Sequence, residues 1–259
     1  MAQVVNPEFA KAYCKRGDTF RDLGSYEAAA KNYIRASEFY PGYKDAYVGL
    51  GGVYHNLGKY EQAVDAYTKA IGIDPGDAEL YIYRAAMYGI LGRHEDEAGD
   101  YTRAIELNPD NISAYGKRGA VSMLLGRYEQ AIEDYTRLVT VKPRFSWAYV
   151  IRGDACAALG RYEEAIEDYT RFIRVHPEYP ETFNNRGKAY GAVSDYEKAV
   201  SDFTRAIALS PGFAEAYANR GEMYERAGNH KRAVQDLRIA ARLGDPYARN
   251  LLDSQSIIW

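Results

Sequence analysis

The stretches 127–137, RYEQAIEDYTR, and 161–171, RYEEAIEDYTR, stand 34 residues apart and differ only at Gln130 and Glu164. A near-copy at fixed distance is a building unit; a catalytic site is usually written once. Steps of 34 from Gly17 meet Gly51, Ala85, Gly119, Gly153, Gly187 and Gly221. From Ala29 they meet Ala63, Glu97, Ala131, Ala165, Ala199 and Ala233. From Pro41 they meet Pro75, Pro109, Pro143, Pro177 and Pro211, then Asp245 with Pro246 beside it. No insertion or deletion breaks the register. Seven units are expected at 10–43, 44–77, 78–111, 112–145, 146–179, 180–213 and 214–247, with 248–259 as a C-terminal cap and tail, all in one domain.

The repeat accounts for the 25 tyrosines. One column is Tyr13, Tyr47, Tyr81, Tyr115, Tyr149, Phe183 and Tyr217; another is Tyr33, Tyr67, Tyr101, Tyr135, Tyr169, Phe203 and Leu237. Inside a unit the apolar spacing is helical. Tyr149, Arg152, Gly153 and Cys156 fall on one face at i, i+3, i+4 and i+7. Leu159-Gly160 then supplies a stop, because glycine enters the left-handed cap conformation cheaply. A second helix carries Ala165, Tyr169 and Phe172 inward, and Pro177, lacking an N–H, ends the unit. Each unit is therefore a pair of short antiparallel helices, with Gly153 and Ala165 small where the two cross. No pair buries its apolar face alone, so the units must stack.

These columns, namely Tyr149, Gly153, Leu159-Gly160, Tyr162, Ala165, Tyr169 and Pro177 with their counterparts, resemble the tetratricopeptide repeat family. The resemblance implies an all-α fold, a right-handed superhelix of helix pairs whose inner surface binds peptides or partner proteins. Asn185 and Asn219 match the family column where asparagine bonds the ligand backbone. Val150 and Glu215 stand where two lysines of the family's chaperone-tail clamp would be, so recognition of a chaperone's terminal carboxylate is not expected.

Bulk properties narrow the function. With 33 basic and 36 acidic residues, a net charge of −3, there is no basic field for nucleic acid. No apolar run approaches the ~20 residues that cross a bilayer, and MAQVVNPEFAKAY lacks the form of a secretory signal. Two cysteines fit a reducing compartment, and a cytoplasmic location is expected. Cys14 and Cys156 lie four units apart, too far to pair at ~8–10 Å per packed helix. No phosphate loop, nucleophile elbow or HExxH motif occurs. The four histidines are scattered, and His94 in HEDE occupies a structural tyrosine column. We expect no enzyme, no cofactor and no metal.

Two departures from the family pattern carry expectations. Arginine precedes the glycine column at Arg16, Arg84, Arg118, Arg152, Arg186 and Arg220; sixteen residues on stand Asn32, Asp100, Asp134, Asp168, Asp202 and Asp236. The second unit replaces both partners together, by Leu50 and Ala66, which predicts an ion pair across the two helices of a unit. The third unit has Ala85, Glu97, Ala98 and Gly99 at the crossing, and a charge there predicts local splaying.

The binding surface follows from a helical wheel. The arc of each first helix opposite the core is mixed near the N-terminus: Lys11, Cys14, Lys15, Asp18, Arg21, Asp22. It turns apolar in the middle, at Ile82, Tyr83, Ala86 and Ile90, then Ala120, Met123 and Leu124, then Trp147, Val150 and Ile151. It becomes polar at Glu181, Asn184, Asn185 and Lys188, then Glu215, Asn219, Glu222 and Glu225. An apolar floor centred on Leu124 and Trp147 predicts a groove for a peptide or helix of a partner protein. The alternatives are a self-assembling structural protein and a regulatory arm of an enzyme on another chain. Ala248, Leu251 and Leu252 predict a cap over the last repeat. Ile257-Ile258-Trp259 either folds onto it or links copies.

Overall fold

The computed structural model describes residues 6–254, 257 and 258. Fifteen helices run through the described residues, paired as the period requires. They are α1 Pro7–Asp22 and α2 Tyr26–Phe39; α3 Lys44–Asn56 and α4 Tyr60–Ile73; α5 Ala78–Ile90 and α6 His94–Leu107; and α7 Ile112–Leu124 and α8 Tyr128–Val141. Then come α9 Trp147–Ala158 and α10 Tyr162–Val175; α11 Pro180–Ala192 and α12 Tyr196–Leu209; α13 Ala214–Arg226 and α14 His230–Arg242; and α15 Pro246–Ser254. The family-like all-α expectation holds. Packing divides the chain into two compact units, 1–127 and 128–259, with α1–α7 in the first and α8–α15 in the second. Within each unit every helix packs on the next, so that hairpins stack in sequence order.

Local chemistry sets the helix ends. Side chains of Asn6, Asp77, Asn111, Asp195 and Asn229 accept hydrogen bonds from orphan amides of the first turn. The hairpin turns place Gly24, Gly58, Gly92, Gly126, Gly160 and Gly228 at φ of 70° to 77°, where a Cβ is unfavourable. Ser194 holds the same column in the sixth repeat at φ 63°.

The glycine at the crossing makes room for a ring. A Cβ on Gly153 would lie 2.9 Å from the Tyr169 ring, and one on Gly187 2.8 Å from that of Phe203. Gly17 and Gly51 stand likewise against Tyr33 and Tyr67. The second tyrosine column thus fills the space that glycine leaves, which is why the two columns travel together. Phe172 and Phe203 are fully buried, each contributing about 1.5–3 kcal/mol of burial.

The arginine column forms the expected ion pairs and one bond more. Arg152 donates to both carboxylate oxygens of Asp168 at 2.7 Å, and its third nitrogen reaches Thr136 Oγ1 on the preceding second helix at 3.0 Å. Arg84 binds Asp100 and Thr68, Arg186 binds Asp202 and Thr170, and Arg220 binds Asp236 and Thr204. Arg16 bonds Asn32. Arg84, Arg152, Arg186 and Arg220 therefore each tie their own helix pair together and staple it to the previous one. At Leu50 and Ala66 the corresponding third residue is Ile34, so all three polar members are replaced together.

The third repeat accommodates its charge without a bulky neighbour. Glu97 is 9% exposed, and its carboxylate occupies the space over Gly89, where a Cβ would meet Oε1 at 2.7 Å. His94 Nδ1 lies 3.0 Å from Glu97 Oε2. The charge is met by a local exchange, an acid at the crossing against a glycine one turn along α5.

Ala248 and Leu252 of α15 are fully buried against Leu237, Ala240 and Ala241 of α14, which makes α15 the expected cap. Ile257 packs on the same cluster and its N–H donates to Leu252 O at 2.9 Å, while Arg238 Nε donates to Ile258 O. Trp259 lies outside the described residues.

Candidate protein-interaction surface

In unit 1–127 the expected floor residues separate into two kinds. Ile82 packs against Ala85, Ala98, Tyr101 and Val121, and Ala86 against Tyr67 and Met87, so both belong to the scaffold. Met123 is half-buried. Tyr83, Ile90 and Leu124 are exposed, Leu124 at 71%. Cys14, assigned by the wheel to the open arc, is instead buried, and burial pushes its thiol up to about 12. Cys156 is buried as expected, with its thiol pushed by burial to about 11.

In unit 128–259, Val150 is buried and serves packing, and Ile151 is half-buried. Trp147 is 43% exposed, but its ring lies 4.7 Å from that of Phe172 and edge-on to Tyr179 at 5.0 Å. Standing on the first turn of α9, it reaches the end of α10 and the loop before α11. It is an anchored ring with one open side.

The polar residues beyond it are the most organised part of the inner-helix surface. Asp154 of α9 accepts from Tyr169 Oη at 2.7 Å and from Asn185 Nδ2 of α11 at 3.1 Å, both on Oδ1. Asn184 Nδ2 donates to Glu215 Oε1 of α13 at 3.2 Å, and Lys188 Nζ reaches the same oxygen at 3.2 Å. Asn219 Nδ2 donates to Asn184 Oδ1 at 3.0 Å. Two hydrogen-bonded clusters meet on α11, one joining it to α9 and the other joining it to α13. Burial raises the pKa of Asp154, against the opposing hydrogen bonds from Tyr169 and Asn185. Burial also acts on Glu215, but Lys188 and the amide donors outweigh it and hold that carboxyl below its usual range. Tyr169 is raised by burial and by the adjacent Asp154.

A hollow of about 430 Å³ opens between α9, α10 and α11, lined by Asp154, Ala157, Tyr162, Tyr169, Asn185 and Ala189 among others. Of the two asparagines expected on the inner arc, Asn185 lines this hollow and Asn219 bonds Asn184 instead. The wheel does not show that Asp154 is the hub. The available signal was the pairing of an aspartate with a tyrosine fifteen residues on, found at Asp18 and Tyr33 and again at Asp154 and Tyr169. Tyr33 Oη donates to Asp18 Oδ1 at 2.8 Å in the same way.

Carboxylates, amides and a lysine on parallel helices are groups that hold an extended backbone and its side chains. Sequence comparison decides the family. The tetratricopeptide repeat model matches residues 14–78 and 184–248, half of the chain, and two further models of the same repeat match 153–193 and 100–133. The chain is a tetratricopeptide repeat protein. No curated protein sequence matches this tetratricopeptide repeat protein. Among solved structures it is similar to MamA, at 26% identity and a TM-score of 0.60, over 64% of this chain and 91% of that one. It is similar to YrrB, described as a TPR protein with an unusual peptide-binding site, at 22% identity and a TM-score of 0.63, over 74% and 99%. A TPR repeat-containing protein from Cytophaga hutchinsonii matches at 15% identity and a TM-score of 0.71, over 91% and 98%. The tetratricopeptide repeat fold is one suited to protein interaction. Among the described residues no helix is long and apolar enough to cross a membrane.

Proposed function

We propose that this protein is a non-catalytic scaffold that holds a segment of a partner protein along α9, α11 and α13. The observation that carries the reading is the polar network on those helices. Asn185 donates to Asp154, Asn219 donates to Asn184 and also bonds Glu215, and among the described residues no donor reaches the Oδ1 atoms of Asn185 and Asn219. Both side chains are therefore oriented by neighbours and retain an acceptor for the amides of a peptide backbone. Pre-orientation lowers the ordering cost of binding. The apolar residues Tyr83, Ile90 and Leu124 offer a further contact surface in the first unit, and Trp147 and Ile151 flank the polar network in the second. The peptide-binding site named for YrrB is in keeping with this use of the fold.

The test is a display library of random dodecapeptides panned against the full chain, followed by anisotropy titration of a retained peptide. Asn185→Ala with Asn219→Ala is expected to weaken binding roughly tenfold or more, at about 1 kcal/mol per lost hydrogen bond. If no peptide is retained above background, or if the double variant binds every retained peptide as the parent does, the reading fails.

A further inference from the structure

We infer that the hollow beside Asp154 is a subsite for an arginine side chain of the bound segment; the inference builds on the scaffold reading and names what that surface selects. The argument begins with Oδ2 of Asp154. Its two protein donors, Tyr169 Oη and Asn185 Nδ2, converge on Oδ1. Among the described residues no donor reaches Oδ2, and no side-chain oxygen or nitrogen there is both fully buried and unbonded. Oδ2 is therefore open to the hollow. Lys188 also lines the hollow, but its ammonium is bonded to Glu215 at 3.2 Å. The ammonium lowers the Asp154 pKa from a distance but makes its hydrogen bond to Glu215, so Oδ2 of Asp154 keeps no direct donor.

The first repeat shows what such a place accepts. Asp18 and Tyr33 stand at the positions that Asp154 and Tyr169 hold four repeats later, with the same hydrogen bond, 2.8 Å against 2.7 Å. There the carboxylate meets a guanidinium of the chain, which it shares with Asp22. Arg21 NH1 lies 3.2 Å from Asp18 Oδ1 and 3.4 Å from Tyr33 Oη. The counterpart of Arg21 in the fifth repeat is Ala157, which lines the hollow. The same aspartate–tyrosine pair is built twice, once with its arginine supplied by the chain and once with alanine and about 430 Å³ of space. The missing group is a guanidinium, and the partner segment supplies it.

Arginine fits better than lysine on chemical grounds. A guanidinium presents several donors in one plane, so it can bond Asp154 Oδ2 and still reach other acceptors around the hollow. The rings of Tyr162 and Tyr169 line the same hollow and favour a flat, weakly hydrated cation. Ala157, Ala189 and Ala192 leave the width open.

The probe is Nα-acetyl-arginine N-methylamide, titrated into the full ¹⁵N-labelled chain, with the citrulline and lysine analogues as controls. Saturable amide shifts are expected at Asp154, Ala157 and Ala189 with the arginine compound. The neutral citrulline analogue is expected to bind at least about tenfold more weakly, the loss of one charge-assisted bond. Asp154→Asn, which keeps the shape and an acceptor for Tyr169, is expected to give the same loss. Ala157→Arg, which copies the first repeat, is expected to fill the hollow and abolish the shifts while the fold, read by circular dichroism, is retained. Equal shifts from citrulline, undiminished binding to Ala157→Arg, or a lysine analogue that binds as tightly as arginine would each overturn the subsite. Dodecapeptides retained in the panning experiment without enrichment of arginine would also overturn it and leave the scaffold reading standing. Failure to retain any peptide would remove the scaffold reading, whereas the single-residue titration still reports on the hollow itself.

Discussion

The arginine ladder makes a quantitative claim that the fifth repeat can test. Asp168 has 3% of its side chain exposed and Arg152 17%, and two bonds of 2.7 Å join them. Removing one partner strands the other, which for buried pairs costs about 3–5 kcal/mol. The two strandings are not equal. Without Asp168, the guanidinium keeps Thr136 and some water, so Asp168→Ala is expected near the lower value, about 3 kcal/mol. Without Arg152, the carboxylate is almost fully enclosed, so Arg152→Leu is expected near the upper value, about 5 kcal/mol. Making both changes, together with Thr136→Ile, copies Leu50, Ala66 and Ile34 of the native second repeat. That triple variant is expected within about 1 kcal/mol of the parent, because apolar replacement of a complete buried pair is often neutral. Urea unfolding followed by circular dichroism gives the differences, and hydrogen exchange of α9 and α10 localises them. If the multiple variant costs the sum of the single ones, the charges are independent and the ladder is not a structural unit.

Four further outcomes follow from single sites. Ser194→Gly is expected to stabilise the chain by about 1 kcal/mol, relieving the only described non-glycine residue at positive φ; an unchanged urea midpoint contradicts this. Gly89→Ala is expected to stabilise only in a Glu97→Ala background, where the usual helix-interior gain of about 0.5–1 kcal/mol is no longer opposed by the displaced carboxylate; equal effects in both backgrounds refute the contact. The raised pKa of Asp154 means that its stabilising contribution is present below the ordinary carboxylate range and lost as pH rises through the raised value. Asp154→Asn should therefore melt higher than the parent at neutral pH, with the gain vanishing near about pH 3, where both carry no charge; a gain independent of pH refutes the assignment. Leu124→Asp is expected to leave the melting temperature nearly unchanged because the side chain is 71% exposed, and a large loss would place it in the core.

The fold was legible because most structural requirements are written six or seven times. Glycine and tyrosine columns, turn glycines and prolines recur at one period, and a ring over a glycine explains why they do. The ion pairs were legible through a shared exception, Leu50 with Ala66. The threonine bond was equally present in the sequence, since Ile34 stands where Thr68, Thr102, Thr136, Thr170 and Thr204 recur, but it joins neighbouring repeats and so shows no pattern within a single unit. The compensation for Glu97, Gly89, was harder to read because it sits on the other helix, in a column where glycine recurs only at Gly191. The surface was less legible for a geometric reason. A wheel gives the direction of a side chain and not its reach. Trp147 points outward yet meets Phe172 and Tyr179 because it stands at a helix start. Cys14 lies at the edge of the open arc and is covered all the same. Asp154 was on the wheel, but its partners Tyr169 and Asn185 come from two other helices.

The most direct test of the scaffold account is amide shift mapping of the full chain with a display-selected dodecapeptide. The account predicts perturbations at Asp154, Asn184, Asn185, Lys188 and Asn219, on α9, α11 and α13, with the side-chain amides of both Asn185 and Asn219 among the largest. Perturbations confined to α10, α12 and α14, with these five residues unmoved, would contradict it.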